Sequence, residues 1–344
     1  MFFLIFLLFV IVSGEITTYP PDKDSLQCNG HNSLCDVQYN RITFLATRSS
    51  FATNSIDNPY NTQTLSITDQ LNAGIRAINL DVYLSAGTPH LCFPDCSLGD
   101  YGALQDTLVQ ISTWLNSNTD QVLTIILNNP TKMDPILIQN AFQSSGLYSL
   151  VYTKTVAQPW DTLRTMINTK KRLIVLESIN LGITPALPWV FSYTDNVLRT
   201  NYGSDYAAQN WDCGPYSSIG ATSLLYIPHV KLETKTINGV PYQNLPSSST
   251  AKQINDDSAY LHATACRSSY SYPWMSFIEI DFYVAGTDLD LMILGLNSLN
   301  LPNDKEINYV PQFTKRTAPK LNSSFQNHPK LYLSAILSLF LAIF

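Results

Sequence analysis

RITFLATRSSFA (41–52), DQLNAGIRAINLDVYL (69–84), HLCFPDCSLGDYGALQDTLVQISTWLNSN (90–118) and DQVLTIILN (120–128) carry the reading of the fold. Within them, the apolar runs 41–47, 77–84 and 122–128 are bounded by turn residues and have the length of buried strands. RLIVLES (172–178), SLLYIPHV (223–230) and SFIEIDFY (276–283) continue the series. Between these runs, Leu104, Leu108, Ile111 and Leu115 recur at helical spacing, and shorter helical patterns cover 134–144 and 160–168. Strands alternating with helices predict an α/β fold with a parallel sheet. On pattern alone, an open sheet and a (β/α) barrel both remain open.

The flanks have a different character. MFFLIFLLFVIV (1–12) is an apolar run followed by Ser13 and Gly14, so residues 1–14 are expected to be a signal peptide, with Glu15 as the mature start. LYLSAILSLFLAIF (331–344) is apolar, and the polar spacer 325–330 and the small residues Asn322, Ser323 and Ser324 precede it. That order is the pattern of a GPI-attachment signal. The expected organisation is a lead-in over 15–27, one domain over 28–301, a stalk and attachment region over 302–324, and a removed tail over 325–344. The protein would then sit on the outer leaflet of the plasma membrane or cell surface. Asn322 also opens a glycosylation sequon, and it cannot serve as both attachment residue and glycan acceptor.

With 26 acidic and 20 basic residues the net charge is −6, and charged residues are only 13% of the chain. No basic stripe is present, which disfavours nucleic acid as a partner. Six cysteines in a secreted chain predict three disulfides, with fifteen pairings open on sequence alone. No CxxC pair accompanies them, so zinc is disfavoured and no metal or other cofactor is expected. The segment from Cys213 to Cys266, with SIGATS (218–223), INGVP (237–241) and LPSSST (245–250), reads as loop with little regular structure. There are no internal repeats.

The order of CNG (28–30), LCDVQYNRITFLATRSSFA (34–52) and the runs that follow resembles the X-domain of the phosphatidylinositol-specific phospholipase C superfamily. Within it, the resemblance is to the secreted, calcium-independent branch. Members read T-H-[ND]-S after the first strand and L-C-H-x-x-C after the second. Here those places hold Thr47-Arg48-Ser49-Ser50 and Leu91-Cys92-Phe93-Pro94-Asp95-Cys96. The resemblance implies an irregular TIM-type (β/α) barrel, the PLC-like phosphodiesterase fold. It also implies the pairings Cys28–Cys35, Cys92–Cys96 and Cys213–Cys266.

In a barrel the chemistry sits at the C-terminal strand ends. This selects Arg48, Asp81, the Phe93 loop, Asn128, Asn129, Glu177, Ser178, His229 and Asp281. In the superfamily one His takes the inositol 2-hydroxyl proton, a second protonates the leaving oxygen, an Arg stabilises phosphate and an Asp orients the first His. By resemblance, Arg48 stands at the base position and Phe93 at the acid position. A guanidinium is no base near neutral pH, and a phenyl ring has no proton to give. Asp81 falls at the phosphate-binding position, where it would repel phosphate. Asn128 and Asn129 lie near an inositol-gripping Lys of bacterial relatives, and Ser178 near an Arg. Asp281 matches the orienting Asp, so the frame predicts a bidentate Arg48–Asp281 ion pair.

Substitute histidines would be His90, two residues before Cys92, or His229 at a predicted strand end near the pocket rim. His31, His262 and His328 fall in expected loops. Three functions follow. The first is a catalytically inactive surface protein used for binding or cell-surface architecture, its ligand a phosphoinositide, a glycan or a cell-wall component. Trp211, Tyr216, Tyr270, Tyr272 and Trp274 are available to stack on sugars, although ordinary packing and loop roles account for them better. The second is an active phosphoric diester hydrolase acting on phosphatidylinositol or related lipids by a displaced mechanism. The third is a glycoside hydrolase using two of Asp81, Glu177 and Asp281, about 5–5.5 Å apart for retention or about 6.5–9.5 Å for inversion. A calcium-dependent mechanism, with Asp81 as a weak ligand, ranks below these.

Overall fold

The computed structural model describes residues 26–300, apart from 55–57, 156–157, 179–181, 185, 202–211, 215–223, 238 and 271–273. The signal, stalk and attachment segments, Asn322, His328, Trp211, Tyr216 and Tyr272 lie outside the described residues. The strands are β1 (Phe44–Thr47), β2 (Ala77–Ser85), β3 (Thr88–Cys92), β4 (Asp100–Ala103), β5 (Leu123–Asn128) and β6 (Leu173–Glu177). They continue with β7 (Val197–Arg199), β8 (Leu224–Pro228), β9 (Glu233–Ile237), β10 (Val240–Leu245) and β11 (Phe277–Ile280). The helices are α1 (Ile67–Asn72), α2 (Leu104–Ser117), α3 (Pro135–Ser144), α4 (Leu163–Asn168), α5 (Tyr193–Asn196), α6 (Ser248–Ile254), α7 (Asp257–Ser269) and α8 (Leu289–Asn300).

Seven strands run parallel in the order β6–β5–β2–β1–β11–β8–β7. This is the mixed α/β architecture expected, built around a central parallel sheet. Among the described residues no ladder joins β6 to β7, so the sheet is not closed by hydrogen bonds on that side. Phe191 lies along β6 there, donating to Val175 O at 2.8 Å and accepting from Glu177 N at 2.9 Å. The antiparallel pair β3–β4 extends the sheet from the far part of β2.

Alternation along each strand sorts the core into two clusters. Leu80, Ile125, Val175, Ile227 and Ile278 join Leu104, Leu108, Ile111 and Leu115 of α2 in the layer between sheet and helices. Their neighbours in the strands, Ala46, Ile126, Leu176, Tyr226 and Phe277, point to the other face and pack with Tyr39, Trp160 and Phe191. Moving toward the C-terminal strand ends, this second face turns from aromatic to polar. Asn79 and Asp81 follow Ala77 at two-residue spacing, and Glu279 and Asp281 follow Phe277. The sheet curls enough for Asn79 Nδ2 to donate to Glu279 Oε1 at 3.3 Å across the intervening β1.

Helix starts are chemically marked. Ser66, Asp134, Thr162 and Asp256 cap α1, α3, α4 and α7 through side-chain oxygens that accept backbone N–H bonds. The three disulfides are Cys28–Cys35, Cys92–Cys96 and Cys213–Cys266, as the resemblance implied. The expectation of little regular structure between Cys213 and Cys266 is corrected. Beyond the anticipated β8, that segment forms the β9–β10 pair, α6 and most of α7. Their sequences are rich in polar residues, so no apolar stripe marked them. Gly239, at a φ of +81°, allows the tight connection between β9 and β10.

Candidate functional site

The polar set at the C-terminal edge follows from the register. Thr47 pairs with Ile280, so the next residues on the two strands, Arg48 and Asp281, face each other. They form a bidentate ion pair, with Arg48 Nε donating to Asp281 Oδ1 at 2.9 Å and Nη2 to Oδ2 at 2.6 Å. Both are buried, 7% and 3% exposed. Burial pushes the Asp281 carboxyl up, and the adjacent guanidinium offsets only part of that rise. One donor on each oxygen is the geometry that holds a carboxylate in its charged form. The guanidinium carbon also lies 5.3 Å from the Phe93 ring centroid, a cation–π contact. Neither Arg48 nor Phe93 offers proton exchange near neutral pH.

Asp81 marks the end of the parallel ladder, where it pairs with Asn128 before β2 continues into its hairpin with β3. Its oxygens accept from Ser49 Oγ at 2.6 Å and Asn128 Nδ2 at 2.5 Å. Burial pushes this carboxyl up; the two donors and the Arg48 charge oppose the shift, and Glu279 adds to it. Asn128 Nδ2 also reaches Asn79 Oδ1 at 3.2 Å, and Arg199 Nη2 approaches Glu279 Oε2 at 4.0 Å. A polar chain thus crosses the face from β7 to the loop after β1. Ser49, Asn79, Arg199 and Glu279 were not singled out in the sequence. Asn79 and Glu279 could have been, since each stands two residues before a selected Asp and strand alternation puts both on its face.

Other selected residues are engaged elsewhere. Glu177 accepts from Ile183 N at 2.8 Å, from Thr184 N at 2.9 Å and from Thr184 Oγ1 at 2.5 Å, holding the loop after β6. Asn129 clamps Met133 through its N–H and carbonyl, and the Ser178 backbone N–H donates to Leu127 O at 2.7 Å. His229 is fully buried rather than at a rim, and His262 is a buried residue of α7 rather than of a loop. The Ile254 carbonyl, 2.8 Å from His229 Nε2, requires a proton on that nitrogen. His229 Nδ1 is therefore an acceptor, and His262 Nδ1–H donates to it at 3.0 Å. His90 lies in β3 with Nδ1 2.9 Å from both oxygens of Asp100. Burial works upward on Asp100, but bonds from His90 and Gly102 N hold its carboxyl below the ordinary range.

The buried histidine pair gives a pH prediction. Burial pushes His229 down to about 4, against the opposing pull of Ile254 O and Asp256, and His262 well down as well. Below the unfolded value of 6.5 the unfolded chain takes up a proton that the folded state refuses. Stability is therefore expected to fall as pH drops from 6.5 toward 4, by about 3 kcal/mol from His229 alone. Asp81 and Asp281, raised when folded, act in the opposite direction, so the histidine share is read by NMR titration of the ring. A His229 ring that protonates near its ordinary value would remove the effect.

A mixed α/β domain presenting acids, amides and guanidinia at the C-terminal edge of parallel strands has the layout of the enzyme folds that bind ligands there. Residues 34–293 match the PI-PLC X 1 family model, and the chain belongs to the PI-PLC X family. It is 29% identical over 171 residues to "PI-PLC X domain-containing protein 1" of Arthroderma benhamiae, covering 48% of this chain and 55% of that protein. It is 30% identical over 185 residues to an "Uncharacterized secreted protein" of the same organism, covering 52% of this chain and 42% of that protein. The matched part spans about half the length of either relative. Among solved structures, phosphatidylinositol-specific phospholipase C from Listeria monocytogenes is 15% identical with a TM-score of 0.47, over 78% of this chain and 96% of that one. A calcium-dependent phosphoinositol-specific phospholipase C from a Pseudomonas species is 11% identical with a TM-score of 0.41, over 76% of this chain and 95% of that one. No helix among the described residues is long and apolar enough to cross a membrane.

Proposed function

We propose that this chain is a catalytically inactive member of the PI-PLC X family. In this reading it is carried on the cell surface by a GPI anchor and used for binding or cell-surface architecture. The observation that carries it is the Arg48–Asp281 pair. By resemblance, Asp281 should orient the general-base histidine, and it is instead saturated by a guanidinium that cannot accept a proton. Phe93, at the acid position, stacks on that same guanidinium. Acid–base catalysis contributes about 10²–10⁴-fold per positioned group, so losing both leaves little rate. Asp81 adds negative charge where phosphate would sit. Candidate ligands are a phosphoinositide head group, a glycan or a cell-wall component.

The rival is a phosphoric diester hydrolase with a displaced mechanism, and His90 is the observation in its favour. Its ring is partly exposed and oriented by Asp100, as an acid–base histidine would be. A carboxylate glycosidase has less support, because Glu177 and Asp281 are each committed to other bonds. The test is hydrolysis of phosphatidylinositol and of a GPI-anchored substrate by the disulfide-intact ectodomain 15–321. No turnover is expected from the natural sequence, with a gain in Arg48→His/Phe93→His. Robust turnover abolished by His90→Ala would overturn the reading.

A further inference from the structure

Arg48, Asp81, Glu279 and Asp281 stand where ligands reach parallel sheets, yet they are 7%, 8%, 0% and 3% exposed. Charged groups at an open edge would be wetted, so other side chains must cover these. We propose that the loop from Phe93 to Gly99 is a strap latched over this edge by Phe93 on Arg48, and that releasing the latch uncovers Ser49 and Asp81.

The strap is built as a compact unit. Cys92–Cys96 ties its base, Phe93 N donates to Gly99 O at 2.9 Å, and Gly99 N donates to Asp95 O at 2.9 Å. A Cβ at Gly99 would come within 2.5 Å of Phe93 O and 2.6 Å of Asn58 Nδ2, so only glycine permits this closure. Its attachments beyond itself are side-chain contacts rather than a strand ladder. Tyr83 Oη donates to Pro94 O at 2.5 Å and Asn58 Nδ2 to Leu98 O at 2.6 Å. Tyr60 meets the Phe93 ring edge-on at 6.4 Å. Arg48, held in place by Asp281, presents its guanidinium to the same ring. Desolvation strengthens such a cation–π contact, and Arg48 is buried. Side-chain latches of this kind can release without breaking the sheet.

The latch concerns access, so it stands apart from whether the domain is catalytic. The test is thiol labelling at Ser49→Cys in the full chain, since Ser49 is 2% exposed and bonded to Asp81. With iodoacetamide under native conditions, Ser49→Cys is expected to react slowly. Adding Phe93→Ala should speed the reaction at least about tenfold, the scale of one desolvated cation–π contact. Phe93→Leu, which keeps bulk but loses the ring face, should speed it less. The accelerated rate should not change with low urea, because opening the strap exposes little surface. Should Phe93→Ala fail to fold, Tyr60→Ala tests the same latch from its other side. Equal rates with and without the ring, or rates that follow global unfolding, would overturn the strap.

Discussion

Replacing Arg48 with methionine is expected to destabilise the domain by about 3–5 kcal/mol, the cost of leaving a buried partner charge uncompensated. Asp281 is 3% exposed, and Arg48 supplies one donor to each of its oxygens. Without the guanidinium, nothing offsets the burial that already pushes this carboxyl up. Asp281 would then take a proton or draw in water, and the Phe93 ring would lose its cation. The sign with pH follows. The unpaired carboxyl has a raised folded pKa, so the loss is largest near neutral pH and shrinks on acidification, once the folded state is protonated. Arg48→Met/Asp281→Leu should recover most of the stability, because well-packed apolar residues often replace a buried pair at little cost. Urea unfolding near pH 7 decides the matter. A loss below about 1 kcal/mol would place the pair in the class of solvated surface bridges.

Removing the Cys213–Cys266 bridge with serine at both positions should cost about 4 kcal/mol on the chain-entropy estimate for a separation of 53 residues. Cys28–Cys35 and Cys92–Cys96 span only 7 and 4 residues, so the same estimate gives each about 2 kcal/mol. The long bridge also ties α7 to a segment that precedes β8, and β8 carries β7 and part of the second core cluster. The ranking is the test, read from denaturation midpoints of three double-serine variants. If the long bridge mattered least, residual structure or strain would be outweighing loop entropy.

Much of the fold was legible in local pattern. β1, β2, β5, β6, β8 and β11 are buried on both faces and read as short apolar runs, which is the signature of parallel strands. β3, β4, β9 and β10 were not legible, because their short sequences mix polar residues without a clean period. α8, apolar around most of its surface, offers no stripe to separate helix from strand. Helix α7 is polar and was read as loop; its Asp256 cap is the local signal that could have marked its start.

The candidate site divided along the same line. The order of strands, and which side chains end them, was set by the sequence. Arg48 faces Asp281 across 233 residues because each follows directly on a pair of strand neighbours. Local periodicity fixes only the face each residue presents, since strand alternation acts over two or three residues; the resemblance is what paired these two across the chain. Tertiary structure alone decided how the remaining groups are used. It turned Glu177 to its following loop, buried His229 against His262, gave His90 to Asp100 and laid Phe93 on Arg48. Those partners depend on how far the sheet curls and where loops return, and both are set by packing across the whole chain rather than by any local period.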